Sequence, residues 1–470
     1  MERHTRTFER FGRIALPHHA APLIGARAVA GHAGVGTIAA TCGAVRLTSP
    51  TASPEQRNRA QAISRSFVHV ACLALVWLAV ATSGLVFSEP APTDTLAIGL
   101  VVLLPVVGLV AISPMLTGYL ALWLVTAACG FLAATVAPEI GDPTKFTAVS
   151  TYLYVSSFVI AAFVARNARA HTVLIFNAWS VAALAAAAAG LVGYFELLPG
   201  AFDLFTRFGR AAGTFKDPNV FGPFLVAPFL YALHMVIERP WHRIALPLAI
   251  AGILALGVFL SFSRGAWFTL ATALVTYGWL SFVTTSCLAR RLRILQLIAT
   301  GTLLVGVVVL GALQNDRIGD LLSQRANLTQ SYDVGPEGRF GGQEKAIGLI
   351  LENPLGIGAT VFASVHHHEE VHNVYLSMML NAGWLGGGLF LLMIGLTVVL
   401  GLRHAFVGSQ SNSMTQPLFL IAYAAFLANA LEGFIIDLDH WRHVYLLMAL
   451  VWGLMSADSR QSQARHARQV

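Results

Sequence analysis

Charged residues are scarce in this chain: Asp, Glu, Lys and Arg make up 11% of its 470 residues. That excludes an ordinary soluble surface, since globular domains carry about a quarter of their residues as charge. Cysteine is scarcer still, with only Cys42, Cys72, Cys129 and Cys287. These four are scattered, so neither a disulfide framework nor a zinc-finger spacing emerges. Acids are fewer than bases, 23 against 30, which leaves a net charge of +7. The surplus lies in tails and in short loops between apolar runs. That placement excludes nucleic acid as the partner and fits the positive-inside pattern of membrane proteins. No internal repeat is visible. No cleavable signal peptide is expected either, because the first apolar run begins late and is too long.

What is abundant is hydrophobic residues, at 56% of the chain. Lipid offers the backbone no hydrogen-bond partner, so apolar runs of bilayer length must be helices. The expected fold is all-α: a polytopic integral membrane protein of roughly twelve transmembrane helices, with one large periplasmic loop before the tenth. The spans are expected at 67–87, 95–112, 115–136, 146–165, 171–194, 220–237, 244–260, 266–283, 292–313, 373–400, 418–436 and 441–455. The turn at Ser113-Pro114 leaves open whether the second and third spans are separate or one broken helix.

The domain plan follows. Residues 1–66 form a disordered cytoplasmic tail, 67–313 hold helices one to nine, and 314–371 form the loop. Residues 372–456 hold helices ten to twelve, and 457–470 form a second cytoplasmic tail. The charges orient this layout. With the N-terminal tail inside, Arg166, Arg169, Arg239, Arg243, Arg290, Arg291, Arg293, Arg403 and the C-terminal arginines all fall inside. Glu89, Asp94, Glu139, Asp142, Asp437 and Asp439 fall outside. The basic bias sets orientation, and in a bacterium it points to the inner membrane with both termini cytoplasmic. Arg210, Lys216, Arg264 and the 314–371 loop then face the periplasm. Within that loop, 316–330 and 343–351 are expected as short helices, followed by a stop at Asn353-Pro354 and a turn at Gly356-Ile-Gly358.

Polar islands interrupt the apolar runs on that outer face. In the first, Arg210 and Lys216 flank Gly213, which permits a tight turn. Asp217 or Asn219 is available to cap the next helix. Interfacial anchoring by snorkelling side chains is the plain alternative for both cations. In the second, Ser263-Arg264-Gly265 joins two spans with almost no loop, so Arg264 must sit at the membrane boundary. A guanidinium fork matches phosphate oxygens bidentately, and a lipid-headgroup anchor is the alternative. The third island holds Arg339 and Glu344 in the loop. His372-Asn373 then opens a span with Tyr375 close by, and a histidine there serves as a base or as a donor to an anion. Three cationic islands on one face suggest a site for an anionic, membrane-borne ligand.

His368-Glu369-Glu370-Val371-His372 also matches the HExxH spacing of zinc proteases. That reading needs a helix across a loop end and a third ligand. Asp437, Asp439 and His440 are candidates, but nothing in the sequence brings them near. No metal is expected. A transporter of a polyanionic substrate is the other rival. It calls for intramembrane charge and repeated halves, whereas Glu196 and Glu432 both lie near span ends.

Taken in order, the islands resemble the O-antigen ligase and polymerase superfamily. The resemblance is carried by Arg210-Ala-Ala-Gly-Thr-Phe-Lys-Asp-Pro-Asn219, Ser263-Arg264-Gly265, Arg339 through Glu352-Asn353-Pro354-Leu-Gly-Ile-Gly358, His372-Asn373-Val-Tyr375 and Gly383. It covers about residues 200–400. Asn381 stands where that family often has an acid. The resemblance implies a membrane glycosyltransferase that uses no metal, cofactor or nucleotide sugar. Its donor would be a glycan on undecaprenyl pyrophosphate. Its acceptor would be lipid A–core or another lipid-linked glycan, and other components of polysaccharide assembly would be its partners. Arg210 and Arg264 would bind the pyrophosphate, with Lys216, Asn373 and Tyr375 also at the substrate. Arg339 would help to position it, and the 314–371 loop would close over the glycan. His372 would either activate the acceptor hydroxyl or hold the diphosphate. Ligase and polymerase share these motifs.

Overall fold

The computed structural model describes residues 54–314, 335–336, 338–410 and 414–469. The chain divides into Met1–Asn58 and Arg59–Val470, and of the first unit only the opening of one helix is described. Of the tail expected at 1–66, residues 1–53 lie outside the described residues and 54–66 form the first turns of a helix, and the helix expected at 316–330 also lies outside the described residues.

The described residues are mostly helical. In chain order the helices are α1 (Pro54–Ala81), α2 (Pro92–Val107), α3 (Pro114–Ala134), α4 (Gly141–Arg166), α5 (Ala168–Tyr194) and α6 (Ala201–Phe205). A hairpin follows, of β1 (Thr206–Arg207) and β2 (Arg210–Ala211). Then come α7 (Pro218–Phe224), α8 (Val226–Glu238), α9 (Ala245–Leu260), α10 (Arg264–Thr284) and α11 (Leu288–Ala312). The last four are α12 (Arg339–Glu352), α13 (Val374–Gln410), α14 (Gln416–Glu432) and α15 (Arg442–Gln469).

Among the described residues, six segments are long and apolar enough to cross a membrane: α3, α4, α5, α7 with α8, α10, and α13 up to Val407. Shorter apolar stretches lie at Phe67–Ala81 of α1 and in α2, α9 and α14. A helix overlies each of the twelve expected spans, although α1 starts upstream of residue 67 and α15 continues past residue 455. The second and third spans are separate helices. Gly108 ends α2 in a left-handed conformation, and the Ser113 hydroxyl caps α3 by accepting from the Leu116 N–H. The span expected at 220–237 is two helices that meet at Leu225, with Pro223 two residues before the break.

The core is aromatic on one side. The Trp123 ring of α3 stacks on Tyr154 of α4 at 4.2 Å, Tyr445 of α15 packs against both, and Trp452 of α15 packs on Tyr119 of α3. Here α15 lies along α4, while α3 packs against both α4 and α13. On the other side α10 packs on α14. Small residues on α5 permit close approach: Ala178, Ala182, Ala183, Ala186 and Ala187 are all buried.

The loop segment after α12 is tied to an interruption in α13. Gly383 takes φ 67, a left-handed conformation that frees the Leu380 carbonyl and the Trp384 N–H from the helix. The segment expected to form a turn supplies both partners. The Ile357 N–H donates to Leu380 at 2.8 Å, and the Trp384 N–H donates to Pro354 at 2.9 Å. A Cβ on Gly383 would stand 2.6 Å from the Pro354 oxygen, so both the backbone angle and the space require glycine. Gly383→Ala is therefore expected to cost at least about 1–3 kcal/mol from the backbone strain alone. A thermal melt in detergent checks this, and an unchanged melting temperature would contradict it.

Candidate functional site

The hairpin turn at Phe208-Gly209 has both residues at positive φ, 54 and 68, as a two-residue primed turn requires. It sets Arg210 on a buried strand end, 7% exposed. The Arg210 Nε–H donates to the Ser261 carbonyl at 2.7 Å, and Nη2 donates to Asn219 Oδ1 at 2.8 Å. Asp217 rather than Asn219 caps α7, accepting from the Asn219 N–H at 2.8 Å. Asn219 is thereby left to Arg210. The guanidinium joins the first island to the second, since Ser261 precedes Arg264 by three residues.

Arg264 is the first residue of α10, and the Ser263 hydroxyl accepts from the Ala266 N–H at 3.3 Å. Phe262 turns the chain with φ 45. Arg264 is half-buried, which suits a cation at a boundary between core and water.

The second island meets the third through α14. Glu432 is fully buried, and one of its oxygens accepts from the Thr269 hydroxyl of α10 at 2.6 Å. The other oxygen has no hydrogen-bond partner among the described residues. It lies 2.4 Å from where a Cβ on Gly265 would stand. Only glycine beside Arg264 gives this carboxyl room against the first turn of α10. The neighbouring Gly433 carbonyl accepts from the Val374 N–H at 2.9 Å and so fixes the start of α13.

His372 sits just before that start with φ 54. Its N–H donates to Asp437 Oδ2 at 2.8 Å, and the Ser377 hydroxyl also donates to Asp437. The His372 Nε2 is 3.4 Å from Glu369 Oε2. Gln343 of α12 donates from Nε2 to the His372 carbonyl at 3.3 Å. The helix that begins at Arg339 is thereby held against the histidine segment. Asn373 caps α13, accepting from the N–H groups of Tyr375 at 3.1 Å and Leu376 at 3.3 Å. Tyr375 is buried, with its hydroxyl donating to the Ala430 carbonyl.

A continuous run of contacts thus joins the segments of Arg210, Arg264, His372 and Arg339. Lys216 turns another way: it is exposed, and its Nζ lies 3.6 Å from Glu89 in the loop after α1. The helix that the zinc reading needs is not there. Residues 367–373 are irregular, and the positive φ of His372 breaks the repeat that would put His368 and His372 on one face. Among the described residues, no group of three or more His, Cys, Asp or Glu is placed to hold a metal ion. Asp437 does come to His372, but at its backbone.

Glu432 and Asp437 carry no motif in the sequence. Their signal is position alone: acids that end an apolar run cost free energy unless something uses them.

Between α14 and α15, burial and then the Asp437 carboxylate push the Asp439 carboxyl from 3.8 up to about 7. Burial and the Arg442 charge pull His440 down to about 4. Burial, followed by Asp437, also raises Glu370. An acid raised in the folded state holds its proton there longer than in the unfolded chain. Its contribution is present below the unfolded value and is lost as pH rises through the folded one. Asp439 therefore lowers stability between about pH 4 and about pH 7. His440 acts in the opposite sense over part of that range and is present in both proteins compared. Asp439→Asn should thus gain melting temperature relative to the native protein as pH rises across this window. A difference that stays flat with pH would contradict the assignment.

Residues 249–391 match the family model described as O-antigen ligase. No curated protein matches the chain. The matched stretch carries Arg264, Arg339, His372, Asn373 and Tyr375, while Arg210 and Lys216 precede it. By this match, on a chain of apolar helices that carries the ordered islands, the protein's 249–391 segment belongs to the O-antigen ligase superfamily.

Proposed function

We propose that the protein moves a glycan from undecaprenyl pyrophosphate to a lipid-linked or lipid A–core acceptor on the periplasmic face of the inner membrane. The observation that carries this reading is the contact path from Arg210 through Ser261 and Glu432 to His372. It links the segments that carry Arg210, Arg264 and His372, on a chain whose residues 249–391 match the family model described as O-antigen ligase.

The acceptor hydroxyl oxygen attacks the anomeric carbon of the donor sugar. As that C–O bond forms, the bond from the carbon to the pyrophosphate oxygen breaks. The electron pair stays on the leaving lipid pyrophosphate, and the hydroxyl proton passes to a base. Charge therefore grows on the pyrophosphate, and fixed guanidinium groups lower the barrier by meeting it there. Arg210 and Arg264 take this role, with forks suited to phosphate oxygens. Arg339 helps to place the substrate from the start of α12.

His372 is given one of two roles. As a base it takes the acceptor proton, with Glu369 Oε2 3.4 Å from its Nε2. As a phosphate ligand it donates to the leaving group. Asp437, Asn373 and Tyr375 position it: the first holds its backbone, the second caps the helix it opens, and the third anchors that helix to α14. Lys216 meets substrate only at the outer rim.

The test is glycan transfer by the purified full-length protein from an undecaprenyl-pyrophosphate oligosaccharide, with and without EDTA. Transfer is expected to persist in EDTA. It should fall by roughly 100-fold or more in Arg264→Ala and in His372→Ala. A ladder of products would mark a polymerase, and one addition a ligase. Loss of transfer in EDTA, or full activity in both variants, would overturn the reading.

A further inference from the structure

A cavity of about 790 Å³ lies where α1, α2, α4 and α5 meet. Val68, Val107 and Leu109 give it apolar wall. His69 of α1, Arg166 at the end of α4 and His171 in the first turn of α5 give it three basic groups, and no acid lines it among the described residues. The rise of α5 from His171 to Ala186, about 22 Å, separates the cavity from the first polar island, whose Gly213 lies close against the Ala186 carbonyl. None of the lining comes from residues 249–391, so the family match carries no information about it.

His171 is 3% exposed. Its ring stacks on Phe163 at 3.8 Å, and Nδ1 lies 2.6 Å from the Phe163 carbonyl. A carbonyl oxygen only accepts, so Nδ1 carries the proton. The other ring nitrogen, Nε2, has no hydrogen-bond partner among the described residues. A buried polar atom left unmet costs free energy, and this one belongs to a residue that lines the cavity. His69 and Arg166 are exposed, and neither pairs with an acid among the described residues. Asn167 is already committed, accepting from the Ala170 N–H at 3.4 Å to cap α5. Once the two rings are protonated, three like charges from three helices converge and repel. An anion among them reverses the sign of that interaction. The guanidinium fork suits phosphate oxygens, and the start of a long helix favours negative charge. Phe67 and Val106, next in the chain to Val68 and Val107, are exposed apolar residues. That flank suits a ligand whose phosphate enters while its hydrocarbon stays outside.

We propose that this cavity binds a phosphate group, held between the Arg166 guanidinium and the imidazolium forms of His69 and His171. The apolar flank favours a phospholipid over a soluble phosphate as the carrier. A phosphate held in this way bridges α1 to the junction of α4 and α5. The site stands whether or not the outer face transfers glycan. A phosphodiester has no proton to give near neutrality, so Nε2 meets it only as a donor, and binding takes up a proton. The charged and titratable groups that face His171 across the cavity are His69 from α1 and Arg166 from α4. Helix α2 and the segment after it add none among the described residues.

The probe is phosphatidylglycerol, added to the full-length protein in an uncharged detergent, and the readout is the melting temperature. A saturable rise is expected, with half-saturation about tenfold higher in Arg166→Gln and in His69→Gln. Both side chains are exposed, so both variants should fold. His69→Arg keeps a cation and should keep the binding. Arg264→Ala should keep it too, because the polar islands are remote. In the native protein, half-saturation should rise severalfold from about pH 6 to about pH 8. Inorganic phosphate separates the carriers. A rise with the lipid alone identifies a phospholipid, and a rise with phosphate to which the lipid adds nothing identifies a soluble phosphate; either supports the site. No rise with either probe would overturn the proposal, as would an equal rise with zwitterionic phosphatidylcholine. Half-saturation that is unchanged in both glutamine variants, lost binding in Arg264→Ala, or a flat pH profile would overturn it as well.

Discussion

The buried Arg210 guanidinium is the contact on which the arrangement of the polar islands depends. A permanent charge at 7% exposure is costly unless its donors are met. The Ser261 carbonyl and Asn219 meet two of them. That need dictates the geometry around it. The hairpin turns at Phe208-Gly209, Asp217 caps α7 so that Asn219 is free for the arginine, and the chain bends at Phe262 to present Ser261. The bend then starts α10 with Arg264. One guanidinium thereby sets where the second one goes.

The same economy continues across the face. Glu432 is held by Thr269 and fits beside Gly265, so α14 is registered against the first turn of α10. One residue on, Gly433 holds the beginning of α13, and Asp437 holds His372. Buried polar contacts of this kind specify one arrangement because each misfit leaves a group unsatisfied in a low-dielectric setting. The aromatic core of α3, α4 and α15 works differently: it supplies bulk burial.

The helices were the most legible part. Helices overlie the segments expected from apolar length, and among the described residues six of these segments are long and apolar enough to cross a membrane. A cap was legible where the residue is local: of the two candidates Asp217 and Asn219, Asp217 caps the helix that follows. Local chemistry also gave the pause at Asn353-Pro354 and the turn at Gly356-Ile-Gly358, but not their purpose, which is to satisfy a helix broken at Gly383. The ordered islands pointed to the right family stretch. What stayed hidden depends on pairs far apart in the chain. Asp94 and Arg442 join the second helix to the last, and Glu432 reaches Thr269 across α10. No spacing rule encodes such partners. His368-Glu369-Glu370-Val371-His372 fails as a helix because His372 bends to place its N–H on Asp437, a residue 65 positions away. The hairpin at Arg210 was missed because two-residue strands leave almost no alternation to detect.

The central claim is that Arg210 and Arg264 form a seat for a pyrophosphate rather than for negative charge in general. The direct measurement is the affinity of the full-length protein for undecaprenyl pyrophosphate against undecaprenyl monophosphate, in native protein and in Arg264→Lys. A lysine keeps the charge and loses the fork. A clear preference for the pyrophosphate in the native protein that disappears in Arg264→Lys is the result the geometry predicts. Equal affinity for both heads, or a preference that survives the lysine, would contradict it.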